Sequence, residues 1–329
     1  MLGFFTRVCV ILTYMPSYLN KVRELETIAA IDLGSNALRA VIARKDGDVL
    51  EIIKSFREPL RLGEDVFSKG FISEEKMVKT EEAFIKLFHI FTEYNVTDIK
   101  AIATSAMRDS RNGSVLTDRI AHSTGIEIQT IEGNEEAEVI FTAVKSQINL
   151  KKRNALLMDI GGGSTELVLV RNDNIIAVES FNVGTVRLMK LEQDSLEKEI
   201  VFQMNKMISF IKKNIPIKDL DLFIGTGGNL RRIGKIRKKI LGKSSSEVAL
   251  FEEINHMEEA ILSMSYVERI RKLELDQNRA DVILPAIMLT HHLMEKLNIS
   301  RIHLPKVGLK EGIILSMLSG PPKMLILRD

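Results

Sequence analysis

Two stretches of this chain end an apolar strand on an aspartate and follow it at once with small residues. The first reads IAAIDLGSNALRAVIAR and carries Asp32 at the strand tip; the second reads ALLMDIGGGSTELVLVR and carries Asp159. Aligned on the aspartates, Arg39 falls on Glu166 and Arg44 on Arg171. Small residues let backbone N–H groups approach a bound anion closely. Mg²⁺ is commonly held by one or two carboxylates together with substrate phosphates. Two such tips facing each other would therefore take a polyanion and its metal ion. Asp32, Ser35 and Asn36 stand in the first unit; Asp159, Gly161, Gly162, Gly163, Ser164 and Glu166 stand in the second. A third turn, Gly225-Thr226-Gly227-Gly228-Asn229, leads into a helix from Leu230, and a helix N-terminus is a ready anion site.

Other residues leave two readings open. The basic run from Arg231 to Lys239 meets no acid until Glu247, so it is either a solvated helix face or a track for a long polyanion. Arg108 follows an apolar strand in Thr104-Ser105-Ala106-Met107-Arg108, where it could fork onto a phosphate or pair a carboxylate. Gly133-Asn134-Glu135-Glu136-Ala137 opens a helix with Asn134 as its expected N-cap. The helix dipole favours glutamates there on structural grounds alone, so spacing by itself does not single out Glu136. The histidines show no metal spacing, and His291 and His292 read as structural residues of an amphipathic helix.

The elements that must position these residues follow an α/β pattern that runs twice. Strands are expected near 27–33, 38–44 and 48–56, with a tight turn at Asp46-Gly47. A helix near 74–94 capped by Ser73, a strand near 98–104, a helix near 112–123 and a strand near 126–131 follow. The second half repeats this with strands near 154–160, 165–171 and 174–182, a helix near 194–213 and a strand near 220–225. Long helices near 248–272 and 279–297, a strand near 300–304 and a last helix near 309–318 complete it. A strand rather than a helix follows each aspartate turn, which excludes a dinucleotide fingerprint. Arg237 stands where a P-loop at Gly242-Lys243-Ser244 would need its first glycine.

Composition narrows the classes further. The 329 residues carry 46 Lys and Arg against 44 Asp and Glu, a net charge of +2 that speaks against a bulk nucleic-acid binder. Cys9 is the single cysteine and tryptophan is absent, so disulfide frameworks and cysteine chemistry drop out, in keeping with a reducing, cytoplasmic setting. Leu2–Tyr14 is apolar but interrupted by Arg7 and too short to span a bilayer. Residues 1–26 are expected to be a disordered extension, and no membrane association is expected.

The chain resembles the exopolyphosphatase/guanosine pentaphosphate phosphohydrolase (Ppx/GppA) family from about Thr27 to Leu318. The resemblance is carried by AAIDLGSNALRAVIA, AIATSAMRDSRNG, IEGNEEAEVIF, LLMDIGGGSTELVLV, GTVRL, FIGTGGNLRRI and RADVILPAIMLT. It implies two duplicated actin-like, ribonuclease H-like domains facing across a cleft: residues 27–139, with a C-terminal helix at 307–329 packing back on them, and residues 140–306. It also implies hydrolysis of terminal phosphoanhydrides of polyphosphate or guanosine pentaphosphate. Glu136 would be the general base and Arg108 would grip the terminal phosphates. Asp32, Asp159 and Glu166 would stand at a metal, Mg²⁺ or else Mn²⁺. Ser35, Asn36, Gly161, Gly162, Gly163, Ser164, Gly227, Gly228, Asn229 and Arg279 would line the phosphates. Longer members add a helical His-Asp domain, so this chain looks like the short, two-domain form, and a homodimer is compatible with it. The competing readings are an ATP-dependent kinase or ATPase on the same fold, and a silent polyphosphate or alarmone sensor.

Overall fold

The computed structural model describes residues 26–318, 320, 322 and 324–327; the expectations on residues 1–25 lie outside these. The first half runs β1 (Glu26–Leu33), β2 (Ala37–Asp46), β3 (Val49–Pro59), α1 (Leu62–Lys69), α2 (Glu74–Glu93), β4 (Asp98–Ala103), α3 (Ser105–Asp109), α4 (Gly113–Thr124), β5 (Ile128–Thr130) and α5 (Gly133–Lys145). The second half runs β6 (Asn154–Ile160), β7 (Thr165–Arg171), β8 (Asn174–Phe181), α6 (Thr185–Leu188), α7 (Gln193–Asn214), β9 (Leu222–Thr226), α8 (Gly227–Leu241), β10 (Val248–Leu250), α9 (Phe251–Leu262), α10 (Tyr266–Leu273), α11 (Gln277–Ala280), α12 (Ile283–Lys296), β11 (Arg301–His303), α13 (Leu309–Ser316) and β12 (Met324–Ile326).

The two sheets share an order over five strands, β3-β2-β1-β4-β5 matching β8-β7-β6-β9-β11, with β12 added beside β3 and β10 beside β11. The first is β12-β3-β2-β1-β4-β5 and the second is β10-β11-β9-β6-β7-β8. In both, an antiparallel meander of three strands is extended by parallel strands beside its first member. This is the duplicated ribonuclease H-like topology that the sequence implied. The strand sequences explain it, because their apolar residues face both ways. Ile28 and Ala30 join a core between the two sheets, while Ala29, Ile31 and Leu33 join the core under α2 and α4. In β6, Ala155 and Leu157 face the shared core, whereas Leu156, Met158 and Ile160 face the second half's own. A period of two with both faces apolar is what a strand covered on both sides requires. α5 and α13 contribute Ala137, Ile140, Val144, Ile313 and Ile314 to the shared core, and α13 also packs on β1.

Several boundaries differ from expectation for physical reasons. The first hairpin turns on Gly47-Asp48, one residue later than expected, with Gly47 left-handed at φ 58°. Ser73 precedes α2, but its hydroxyl bonds Asp65 at 2.5 Å rather than capping the helix. Glu132, not Asn134, caps α5, and its N–H donates to Glu135 at 2.8 Å in a capping box. The stretch 248–272 is not one helix: β10, α9 and α10 divide it, and Ser265 starts α10 by a capping box with Glu268. The helix expected over 279–297 is likewise split into α11 and α12. α1, α3 and β12 were not anticipated; two are too short for a clear period, and Arg61, left-handed at φ 53°, launches α1.

Candidate active site

The two aspartate turns meet in one cleft. Cross-strand register sets the pattern, since Asp32 lies opposite Arg39 and Asp159 lies opposite Glu166. The two positions that the alignment equates, Arg39 and Glu166, thus each face an aspartate across a strand pair. In the first unit the partner is a cation, and Arg39 Nη1 donates to Asp32 Oδ2 at 3.0 Å. In the second it is another acid, and charge accumulates.

That charge is concentrated in a buried trio. Ligating atoms of Glu136, Asp159 and Glu166 all lie within 4.8 Å of one another, and all three residues are buried. The Thr226 hydroxyl donates to Asp159 Oδ1 at 2.6 Å, and the Ser180 hydroxyl donates to Glu166 Oε1 at 2.9 Å. Glu136 Oε2 and Glu166 Oε2 are buried with no hydrogen-bond partner. Desolvation raises Glu166 to about 7, helped by the charge of Asp159. Desolvation likewise lifts Glu136 well above the ordinary range, reinforced by Glu166, Asp159 and Asp32. Burial also raises Asp32 and Asp159, against the pull of Arg39 and the Thr226 hydroxyl respectively.

An all-oxygen donor set with two orphaned carboxylate oxygens fits a hard divalent cation. It also gives a signed expectation for stability. The folded state holds protons on Glu136 and Glu166 that the unfolded chain has already released above its ordinary glutamate value of 4.5. The contribution of Glu166 therefore falls as pH rises from about 4.5 through 7, and that of Glu136 falls in the same direction. Added Mg²⁺ should accordingly raise Tm more at pH 8 than at pH 5.5. Thermal melts at both pH values, with EDTA or with Mg²⁺, check this; an equal increment at both would contradict it.

The remaining cleft residues come from five segments. Ser35 Oγ lies 2.8 Å from Ser105 Oγ and accepts from the Ala106 N–H at 3.1 Å. Asn36 Nδ2 reaches across to the Asn278 carbonyl at 3.3 Å. Gly161, Gly162 and Ser164 line the second aspartate turn, which the GTVRL segment braces: Val186 N–H donates to the Gly162 carbonyl at 2.8 Å. Gly227, Gly228 and Asn229 open α8 into the same cavity. Gly227 is left-handed at φ 88°, and a Cβ there would meet Asp159 Oδ1 at 2.8 Å, so both conformation and space demand glycine.

Some expected residues stand elsewhere. Gly163 packs against Phe67 and Ser105. Arg108 does not line the cleft: its Nη1 donates to the Ile131 carbonyl at 2.6 Å, although its charge still acts on Glu136 and Glu166. Asp32 does line the cleft, but it is tied to Arg39 and lies outside the trio that Glu136 completes. The sequence reading did not assign Arg39, Thr104, Ser105 or the start of the last helix at Gly308–Glu311 to the site, and named Thr226 only as part of its Gly-rich turn; all are placed here. The spacing Gly308 to Glu311 was a legible sign of a helix start, since Gly308 N–H donates to Glu311 Oε2 at 3.0 Å.

Beside the cleft lies a second cavity of about 250 Å³. Its walls carry six cationic side chains, Arg231, Arg232, Lys235, Arg279, Lys306 and Lys310, against one acid, Glu311. Arg279 Nη1 donates to the Gly228 carbonyl at 3.1 Å, joining the two cavities. Burial, then Arg57, Arg232 and Arg39, press its pKa down to about 9. The basic run thus divides: Arg231, Arg232 and Lys235 face this cavity, while Arg237 is buried against Glu253 at 2.6 and 2.9 Å.

With this geometry in place, comparison with known proteins gives one answer. The family model described as the Ppx/GppA phosphatase family matches residues 41–320. The chain belongs to the Ppx/GppA phosphatase family. It is 31% identical over 292 residues to a bifunctional 3-dehydroquinate synthase/phosphatase of Fusobacterium nucleatum, covering 81% of this chain and 43% of that protein. It is 22% identical over 298 residues to a guanosine-5'-triphosphate,3'-diphosphate pyrophosphatase of Photobacterium profundum, covering 88% and 59%. The crystal structure of an exopolyphosphatase from Cytophaga hutchinsonii superposes with a TM-score of 0.81 at 26% identity, covering 89% of this chain and 97% of that one. This family member thus spans about half the length of the first two relatives and nearly all of the third. Among the described residues no helix is long and apolar enough to cross a membrane.

Proposed function

We propose that this protein hydrolyses the terminal phosphoanhydride of a polyphosphate chain, or of guanosine pentaphosphate, and releases orthophosphate. One observation carries this reading. A buried carboxylate with an unpartnered oxygen, Glu136, sits among Gly-rich turns that open onto a cation-lined cavity. The turns would hold the terminal phosphates, and the cationic cavity would neutralise the phosphates behind them.

Asp159 and Glu166 would hold a divalent cation, Mg²⁺ or Mn²⁺, which when bound neutralises phosphate oxygens and favours attack at phosphorus. Glu136 would take a proton from a water in line with the terminal phosphoanhydride. The water oxygen bonds to phosphorus, the bridging P–O bond breaks, and the shortened chain leaves with the electron pair. Arg39 and Arg279, both beside Gly228, would orient the chain rather than act on the water.

Linear polyphosphate suits the two cavities best, because among the described residues no aromatic ring lines either of them to stack a base. The relation to the pentaphosphate-named enzyme of Photobacterium profundum, and the apolar Ile52, Leu304 and Leu327 in the second cavity, favour guanosine pentaphosphate as the alternative. Arg279→Ala tests the assignment of the cationic cavity. A charge-assisted contact of this kind is worth about 1.5–3 kcal/mol, so KM for polyphosphate should rise roughly 10- to 100-fold with a smaller change in kcat. An unchanged KM would place the chain elsewhere.

A further inference from the structure

Far from the aspartate turns, α9 and α12 bring together a cluster that no spacing rule reveals. Glu258 comes from α9, and His291 and His292 come from α12. One ligating atom of each lies within 4.8 Å of the others. We propose that Glu258, His291 and His292 form a binding site for a borderline divalent transition-metal ion such as Zn²⁺, pinning α9 to α12.

Three observations support this. Glu258 is 7% exposed, yet its Oε2 has no hydrogen-bond partner. His291 Nδ1 is also buried without one, although it lies only 2.6 Å from that oxygen. Two such atoms brought together without hydrogen-bond alignment are unsatisfied, and opening the pair by under ~1 Å would let both reach one ion at about 2.0–2.2 Å. Second, His292 Nδ1 lies 2.9 Å from the Met288 carbonyl. A carbonyl only accepts, so Nδ1 carries the proton and Nε2 keeps its lone pair. A ring N–H fixed by a backbone carbonyl is the usual second partner of a metal-ligating histidine. Third, the His291 ring stacks on Phe251 with centroids 5.2 Å apart, which holds its orientation. A mixed nitrogen and oxygen donor set selects Zn²⁺ and its neighbours over Mg²⁺.

Co²⁺ titration of the full chain, followed by visible absorption, tests the site. Nitrogen ligation at this cluster predicts d–d bands in the native protein that Zn²⁺ displaces. His292→Ala should abolish them, as should the milder His292→Gln, while Glu136→Gln keeps them because the cleft supplies oxygens alone. Metal analysis should show one Zn²⁺ equivalent fewer in His292→Gln, with orthophosphate release under saturating Mg²⁺ unchanged. Zn²⁺ should raise Tm in the native chain and not in the variant. Identical Co²⁺ spectra and equal Zn²⁺ content in native protein and both variants would overturn the proposal.

Discussion

Glu136→Gln should lower kcat by about 10²–10⁴-fold and leave KM for polyphosphate within a few-fold of the native value. The amide keeps the shape of a side chain that is 5% exposed but cannot take a proton from water. The same change should raise Tm in cation-free buffer at pH 8. Burial and three neighbouring carboxylates work against the charged form of Glu136, so removing that charge relieves repulsion. Loss of turnover together with gained stability is the mark of a group held in place for chemistry. A merely structural glutamate would cost stability when changed. Steady-state kinetics and a melt on one preparation decide it. A kcat reduced less than tenfold would remove Glu136 from the base role.

Gly312→Ala, at a position that itself lines neither cavity, should damage both stability and turnover. α13 crosses α5 so closely that a Cβ on Gly312 would overlap the Val139 carbonyl oxygen and meet Val139 Cγ1 at 2.8 Å. A backbone carbonyl within a helix cannot swing aside, so α5 must move. α5 also carries Glu136, one turn before Val139. Overpacking of this kind costs roughly 1–3 kcal/mol, and displacement of a reacting group by an ångström costs about 10²-fold in rate. Gly320→Ala is the control, because nothing lies within 4 Å of a Cβ there. Native Tm and kcat in Gly312→Ala would show that the two helices have slack the packing does not suggest.

What the sequence could reveal depended on how local the cause was. The two meanders were legible because alternating apolar residues and turn pairs such as Asn172-Asp173, both left-handed here, encode a hairpin within a few residues. The split of 248–272 was also encoded locally, in the Ser265–Glu268 capping box, but the steady charge pattern around it looked like one helix. In the site, the aspartates and glycines announced themselves by repetition. Glu136 did not, because a glutamate in a first helical turn has an ordinary structural reason to be there, and its role came only from the family resemblance. Arg108 reads from its position either as a phosphate grip or as a carboxylate partner, and the Ile131 carbonyl that engages its Nη1 comes from a segment no local pattern points to. The helix of α13 was legible, but its place in the cleft, like the Glu258–His291–His292 cluster, was out of reach, since both depend on segments joined only by the fold.

Contacts such as Arg61–Asp281 at 2.6 Å and Lys190 to the Glu64 carbonyl at 3.0 Å tie the first half of the chain to the second.

The most direct test is therefore orthophosphate release by the purified full chain with Mg²⁺, measured on long-chain polyphosphate, guanosine pentaphosphate and ATP side by side. Release from polyphosphate or the pentaphosphate well above that from ATP is the expected result. Binding of both without release from either would contradict the hydrolase reading and leave a sensor in its place.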